Sequence, residues 1–391
     1  MNDLGIVERV QRALAASGFE AIIAVGADNV QYLSGARIPF LHGYPDRHVA
    51  VFWPRKGDPE CISPVEWEST IRKLGWVKKI RSYAENANNI GSAVETLTNA
   101  VRDSIKAGGR LGLDMNRTPA TFADRLRTSL NEMKLESCDE LLTELRMTKT
   151  PEEVKLLADV SYRTDHGILG AVHHIIITAP RTEMSLAEEV RVHCLERGLE
   201  AVGYHSLSLM ASGEYSTKFW PLPPFFGIGG GVKELKQQEI VRVEMRSSID
   251  GYWSDAARIV VMGEPTAEQK KAYEGLVALR TAAVAVIKPG VGCNEVFKVV
   301  SEEAKKRGID LIADLGVGHG VGVTTHEPPY LIDCDTTPLR SGMILVLDPV
   351  VRGPQKEIMR SKDTLLVTES GCRIMGWYKD WQEPFIPAYA L

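Results

Sequence analysis

Cysteine is scarce in this chain: six residues among 391, at positions 61, 138, 194, 293, 334 and 372. No two stand in a C-x-x-C pair, which argues against a zinc knuckle or a disulfide framework and for reduced thiols in a cytoplasm. No run of about 18 uninterrupted apolar residues occurs, so no membrane span is expected. The opening MNDLGIVERVQRALAASGFEAIIAVG carries acidic residues and no basic stretch leading into a long apolar core, unlike a signal peptide. A basic run is also missing and the formal net charge is -5, so neither nucleic acid nor an anionic membrane is a favoured partner. Internal repeats and low-complexity linkers are absent as well.

What is present suits two domains with real cores: 44% hydrophobic and 25% charged residues over 391 positions. Up to residue 150, β-like runs such as AIIAVG (21–26), HVAVFW (48–53) and LGLDM (111–115) alternate with helical patterns at 5–17 and 88–106, which predicts an α/β domain. Thr150 can cap a helix that starts at Pro151, with Glu152 and Glu153 in the first turn. Beyond it the pattern predicts helices at 154–176, 184–198, 266–287 and 293–307, and strands near 205–211, 240–249, 256–262, 343–351 and 358–368. The domains are therefore 1–150 and 151–391.

Four segments of the second domain carry chemistry. VRVEMRSSIDGYWSD holds Glu244 and Asp255, GHGVGVTTHEPPYL places His319 and His326 seven apart among glycines, LVLDP holds Asp348, and RSKDTLLVTESG holds Lys362. Together with DNVQYLSGAR (28–37), LRMTKTPEEVKLL and GYWSDAARIVVMGEPTAEQKKAY, these segments resemble, in order and over residues 5–375, the pita-bread superfamily of creatinase, prolidase, aminopeptidase P and methionine aminopeptidase. The resemblance implies an N-terminal creatinase/prolidase-like α/β domain, an α+β pita-bread C-terminal domain of two pseudo-symmetric halves, and a homodimer.

The metallopeptidases of that family hold two divalent ions with Asp, Asp, His, Glu and Glu, and the ions activate a bridging water. By resemblance Glu244, Asp255, His319 and Asp348 take the first four positions, and Lys362 falls on the fifth. Three carboxylates and one ammonium leave about two negative charges, enough for at most one divalent ion. Lys362 either pairs inside the site with Asp348, Asp255 or Glu244, or swings to solvent and leaves a single-metal site. The expected cofactor is therefore none, with one divalent ion (Mn, Fe, Co or Zn) as the alternative.

A lone histidine is more often structural, but the shared glycine-rich context favours His319 and His326 as acid and base, since an imidazole titrates near neutrality. The family's substrate or proton-transfer histidine falls at Trp220, which either stacks on substrate or fills space beside Phe219, Phe225 and Phe226. Arg47 either matches the creatinase-like arginine that reaches a substrate carboxylate across a dimer or is an exposed loop arginine, and Glu327 is the remaining substrate-side candidate. His42, Tyr44 and His48 are weaker ones, and Tyr252 and Arg258 look like scaffold. The expected activity is hydrolysis of an amide or C–N bond in a small nitrogenous carboxylate, with His319, His326 and Lys362 catalytic. The alternatives are a single-metal Xaa-Pro peptidase on a dipeptide-like substrate, a lyase, and a non-catalytic peptide-binding module.

Overall fold

The structure, a computed structural model, describes residues 3–38, 46–86, 88–175, 182–200, 207–218, 228–229 and 231–377. The chain divides into two units, residues 1–146 and 147–391. In the first, six strands form one mixed sheet in the order Lys79–Tyr83, Glu60–Pro64, Ala50–Pro54, Ala21–Ala24, Arg110–Leu113, Lys134–Ser137. Ile23, Phe52 and Ile62 on this sheet are buried against Val94, Leu97 and Val101 of helix Asn89–Ser104, whose i, i+3, i+7 spacing makes one apolar stripe. Buried Asp114 ties the region together, accepting from the backbone N–H of Val25 and Gly26 and from Asn29 and Thr118 side chains.

The second unit begins as its cap signals dictate. The Thr150 hydroxyl accepts from the Glu153 N–H at 3.1 Å, the Glu153 carboxylate accepts from the Thr150 N–H at 2.8 Å, and helix Pro151–Ile175 follows. Strands Ile240–Ile249 and Tyr252–Val261 form a hairpin whose turn residues Asp250 and Gly251 both have positive φ, the geometry of a two-residue hairpin turn. The second strand thus starts four residues before the alternation at 256–262 suggested. The expected strand 343–351 is two, Ile344–Leu347 and Val350–Arg352, because Pro349 has no N–H for the ladder. The expected strand 358–368 likewise breaks between Arg360 and Asp363. These two interruptions hold Asp348 and Lys362.

Two sheets result. One runs Tyr252–Val261, Ile240–Ile249, Leu207–Ser212, Ile228–Gly229; the other is antiparallel, Glu327–Tyr330, Gly318–Gly320, Ile344–Leu347, Asp363–Val367, Cys372–Ile374. Among the described residues, the Ala257–Lys362 bridge joins the two larger sheets. Leu345, Leu347, Leu365 and Val367 turn one way, onto Leu276 and Leu279 of helix Ala267–Val286 and Val296 and Val300 of helix Cys293–Arg307. Each fully buried Leu or Val contributes about 1.5–3 kcal/mol, so this apolar layer holds the sheet rigid beneath its other face. That other face carries the polar cluster.

Candidate active site

Register decides which charges meet. Glu244 lies opposite Ala257 and Ala257 opposite Lys362, so the three share one face in a row from the hairpin to the break between Arg360 and Asp363. Ala257 leaves the space above it open. The Lys362 side chain, with no exposure, crosses that space to place Nζ 2.7 Å from Asp255 Oδ1 and 3.2 Å from Glu244 Oε2. The in-site pairing of Lys362 is the arrangement present.

Three arginines stand in the same cluster, and sequence reasoning missed their part. Arg360 grips Asp348 with Nε at 2.7 Å and a second contact through Nη2, and reaches Glu244 through Nη1 at 3.2 Å. Arg242 Nε lies 3.1 Å from Glu244 and Arg246 Nε 3.4 Å from Asp255. The period-2 alternation of VRVEMR was the available signal, because it sets Arg242, Glu244 and Arg246 on one face of a strand. With them the balance changes: among the described residues three carboxylates face four cations, where one cation was expected. Burial opposes ionisation of Glu244, but Arg360, Lys362 and Arg242 pull its carboxyl down to about 2. Asp255 is likewise held below the carboxylate range, burial being outweighed by Lys362 and Arg246.

His319 stands on strand Gly318–Gly320, its ring on the polar face. A Cβ at Gly318 would fall 2.5 Å from the Val346 carbonyl and one at Gly320 2.5 Å from the Pro328 carbonyl, so both flanking glycines are required by close backbone packing. His319 Nδ1 lies 3.0 Å from the Gly320 carbonyl, which can only accept, so the neutral ring carries its proton there and presents a bare Nε2. That Nε2 is 3.8 Å from Asp255 Oδ2, and among the described residues neither buried atom has a hydrogen-bond partner. His326 stacks on His319, ring centroids 3.7 Å apart, with Nε2 3.9 Å from the same oxygen. The expectation of titration near neutrality is corrected. Burial, helped by Lys362, pushes His319 down to about 4, and burial with the neighbouring His319 pushes His326 down to about 3. Both rings are neutral at pH 7.

A cavity of about 320 Å³ opens over this cluster, walled by His319, His326, Arg246, Arg360, Glu244 and Asp348 and by apolar Leu209, Leu315, Tyr330 and Ile332. Glu327, expected on the substrate side, is not among the described walls. It is buried, 2.8 Å from the Lys149 ammonium, and accepts from Thr324. Arg47, in the first unit, engages Glu85 at 2.8 Å and Asp46 at 2.9 Å, so a ligand carboxylate there would compete with two acids. His48 is buried and edge-on to Phe122. Tyr252 donates to Glu153, a scaffold contact, and Arg258 anchors the sheet junction by donating to the carbonyls of Ala257 and Lys362. Trp220, with Phe219, Phe225, Phe226, His42 and Tyr44, lies outside the described residues.

A creatinase-type α/β unit followed by a pita-bread unit with a charged cavity defines the class. The sequence profile of the Creatinase/Prolidase N-terminal domain matches residues 6–148, and that of Metallopeptidase family M24 matches residues 160–369. The chain belongs to metallopeptidase family M24. It is 23% identical over 367 residues to an Xaa-Pro dipeptidase of Pyrococcus horikoshii, covering 94% of this chain and 95% of that one. Among solved structures, an X-Pro aminopeptidase from Thermotoga maritima MSB8 superposes with a TM-score of 0.81 at 19% identity, covering 97% and 99% of the two chains. Dipeptidase PepE from Mycobacterium ulcerans gives 0.78 at 21% identity over 99% of each.

The family name implies metal, and the donor set tests it. Asp348 and Glu244 are engaged by Arg360, and the Lys362 ammonium lies between Glu244 and Asp255, so this arrangement does not fit a pair of divalent ions. Asp255 Oδ2 and one nitrogen each of His319 and His326 lie within 4.8 Å of one another. The two ring planes are only 21° apart, however, so their lone pairs run in nearly parallel planes, and one ion at about 2.1 Å from both would require a ring to turn.

Proposed function

We propose that the chain hydrolyses an amide or C–N bond of a small nitrogenous carboxylate with protein groups and water, without a dinuclear metal centre. The observation that carries this reading is the buried Lys362 ammonium, 2.7 Å from Asp255 and 3.2 Å from Glu244. A fixed cation there supplies positive charge that a metal pair would otherwise supply, and needs no loading. The likeness to enzymes named Xaa-Pro dipeptidase supports an amide as the bond class.

In this reading a water donates its two hydrogens to Asp255 Oδ2 and His319 Nε2, the two bare acceptors 3.8 Å apart. As the water oxygen bonds to the substrate carbonyl carbon, its proton passes to His319 Nε2, and the carbonyl oxygen, now anionic, faces the Arg360 and Arg246 side of the cavity. The C–N bond then breaks, and the imidazolium returns the proton to the departing nitrogen. A ring held down at about 4 is a weak base but a strong donor once protonated, which assists the second step. Tertiary placement in a cytoplasmic homodimer belongs to the same proposal and rests on the family likeness alone.

The test is metal content and chelator sensitivity together. Purified protein is expected to carry less than one tightly held divalent ion per chain by elemental mass spectrometry. It should release amine from a panel of Xaa-Pro dipeptides and N-acylated amino acids equally with and without chelator. Two retained ions, with turnover lost on chelation, would overturn the proposal. One retained ion would instead favour a mononuclear site, with Asp255, His319 and His326 as ligands after a ring has turned.

A further inference from the structure

The cavity lining changes character from one chain segment to the next. Its charged groups come from strand Ile240–Ile249 and from the segments around 348 and 360, whereas Leu315, Tyr330 and Ile332 come from the two segments that flank strand Gly318–Gly320. Leu315 and Tyr330 are 46% and 37% exposed, so their apolar surface is open rather than given to the core. The two segments are locked together through backbone: the Val317 N–H donates to the Leu331 carbonyl at 2.9 Å, and the Leu331 N–H donates to the Gly318 carbonyl at 2.9 Å. Gly316 has φ 72°, and a Cβ there would fall 2.6 Å from Ile332 Cγ2, so Ile332 is seated directly on that backbone. The apolar wall is therefore preformed.

Register sets this wall beside the reacting atoms. Tyr330 lies opposite His319 on the adjacent strand, and opposed residues of an antiparallel pair project from the same face. In the proposed hydrolysis His319 returns its proton to the departing nitrogen, so a group carried by that amine meets Tyr330 and its neighbours Leu315 and Ile332. A charged group there would lose hydration with no counter-charge among these three side chains, whereas an apolar group gains by leaving water. Resting on the hydrolase reading above and deepening it, we infer that Leu315, Tyr330 and Ile332 form a subsite for an apolar side chain on the amine portion of the substrate. The substrate class is then an amide whose departing amine bears a branched aliphatic or aromatic group. The three are specificity-determining residues in this assignment and take no part in the proton transfers.

The test is calorimetric binding of two probes to the full chain, the ketone isosteres of N-acetylglycine and N-acetylleucine, in which CH₂ replaces the amide N–H so that neither is cleaved. Metal content is measured in the same sample. The isobutyl-bearing probe is expected to bind at least ~10-fold more tightly than the other. Leu315→Asn combined with Tyr330→Asn should cut that preference below ~3-fold, and Leu315→Met should keep it, a rescue that a purely structural role would not produce. Equal binding of the two probes to the parent chain, no binding of either at millimolar concentration, or a full preference in the double variant would each overturn the inference. The parent-chain comparison stands even if a variant fails to fold. Two retained metal ions with the preference intact would sink the metal-free hydrolase reading and leave the subsite in place, while equal binding in metal-poor protein would sink the subsite alone.

Discussion

Two buried charge clusters sit on opposite faces of the same strands, and they are built to different rules. Behind the sheet junction, Arg258 contacts Asp165 at 2.6 Å and Asp363 at 3.4 Å, and Arg280 contacts Asp363 at 2.6 Å, so two acids meet two bases. In front, Glu244, Asp255 and Asp348 meet Lys362, Arg242, Arg246 and Arg360 beneath a cavity. Asp255 and Arg258 are three apart on one strand, and Lys362 and Asp363 are neighbours, so alternation alone sends each to its own side. The first cluster serves the scaffold; the second opens onto the cavity.

That contrast can be broken from either side, and the scaffold side should give the larger effect on stability. Arg258→Met leaves Asp165 and Asp363 short of a partner and frees the carbonyls of Ala257 and Lys362, so denaturant unfolding is expected to show a loss of about 3–5 kcal/mol. Lys362→Met on the front face should lose less, ~1–3 kcal/mol, because Arg246 and Arg360 still face the carboxylates. Its turnover should fall by at least ~100-fold, since the fixed charge of the site is removed. A Lys362→Met enzyme of normal activity would show that the front cluster, too, is only scaffold.

Acid should also separate the faces. His319 and His326 are held well below the unfolded value near 6.5, at about 4 and about 3, so between those limits the unfolded chain binds more protons than the folded one. Stability contributed by the neutral rings is therefore lost as pH falls from about 6.5, and Glu244, held down at about 2, adds a further loss from about 4.5 downward. A double His319→Gln, His326→Gln variant should flatten the part of the stability profile above pH 4.5, as followed by thermal melts across pH. The smallest change expected is Thr150→Ala, about 1 kcal/mol in urea unfolding, since it removes one half of a capping box.

Much of the frame was readable along the chain. Thr150 with Pro151 marked the start of the long helix, the period-2 segment 240–249 marked a strand, and the glycine-rich His319 to His326 segment marked the site. The turn at Asp250 and Gly251 went unread, and alternation obscured how early the next strand begins. Arg360 was harder. Its role depends on Asp348, twelve residues away across an interrupted hairpin, and on Glu244 from another sheet. Glu327 illustrates the same limit: it adjoins His326 in sequence but pairs with Lys149 in space.

By itself the sequence determined the family, the order of the elements and the presence of a lysine where a carboxylate ligand is usual, because these follow from residue identity, periodicity and spacing. Only the tertiary structure decided the charge balance of the cluster and the protonation of its histidines. Both are sums over neighbours brought together by strand register and burial, and a Coulomb sum or a desolvation cost has no value until distances exist.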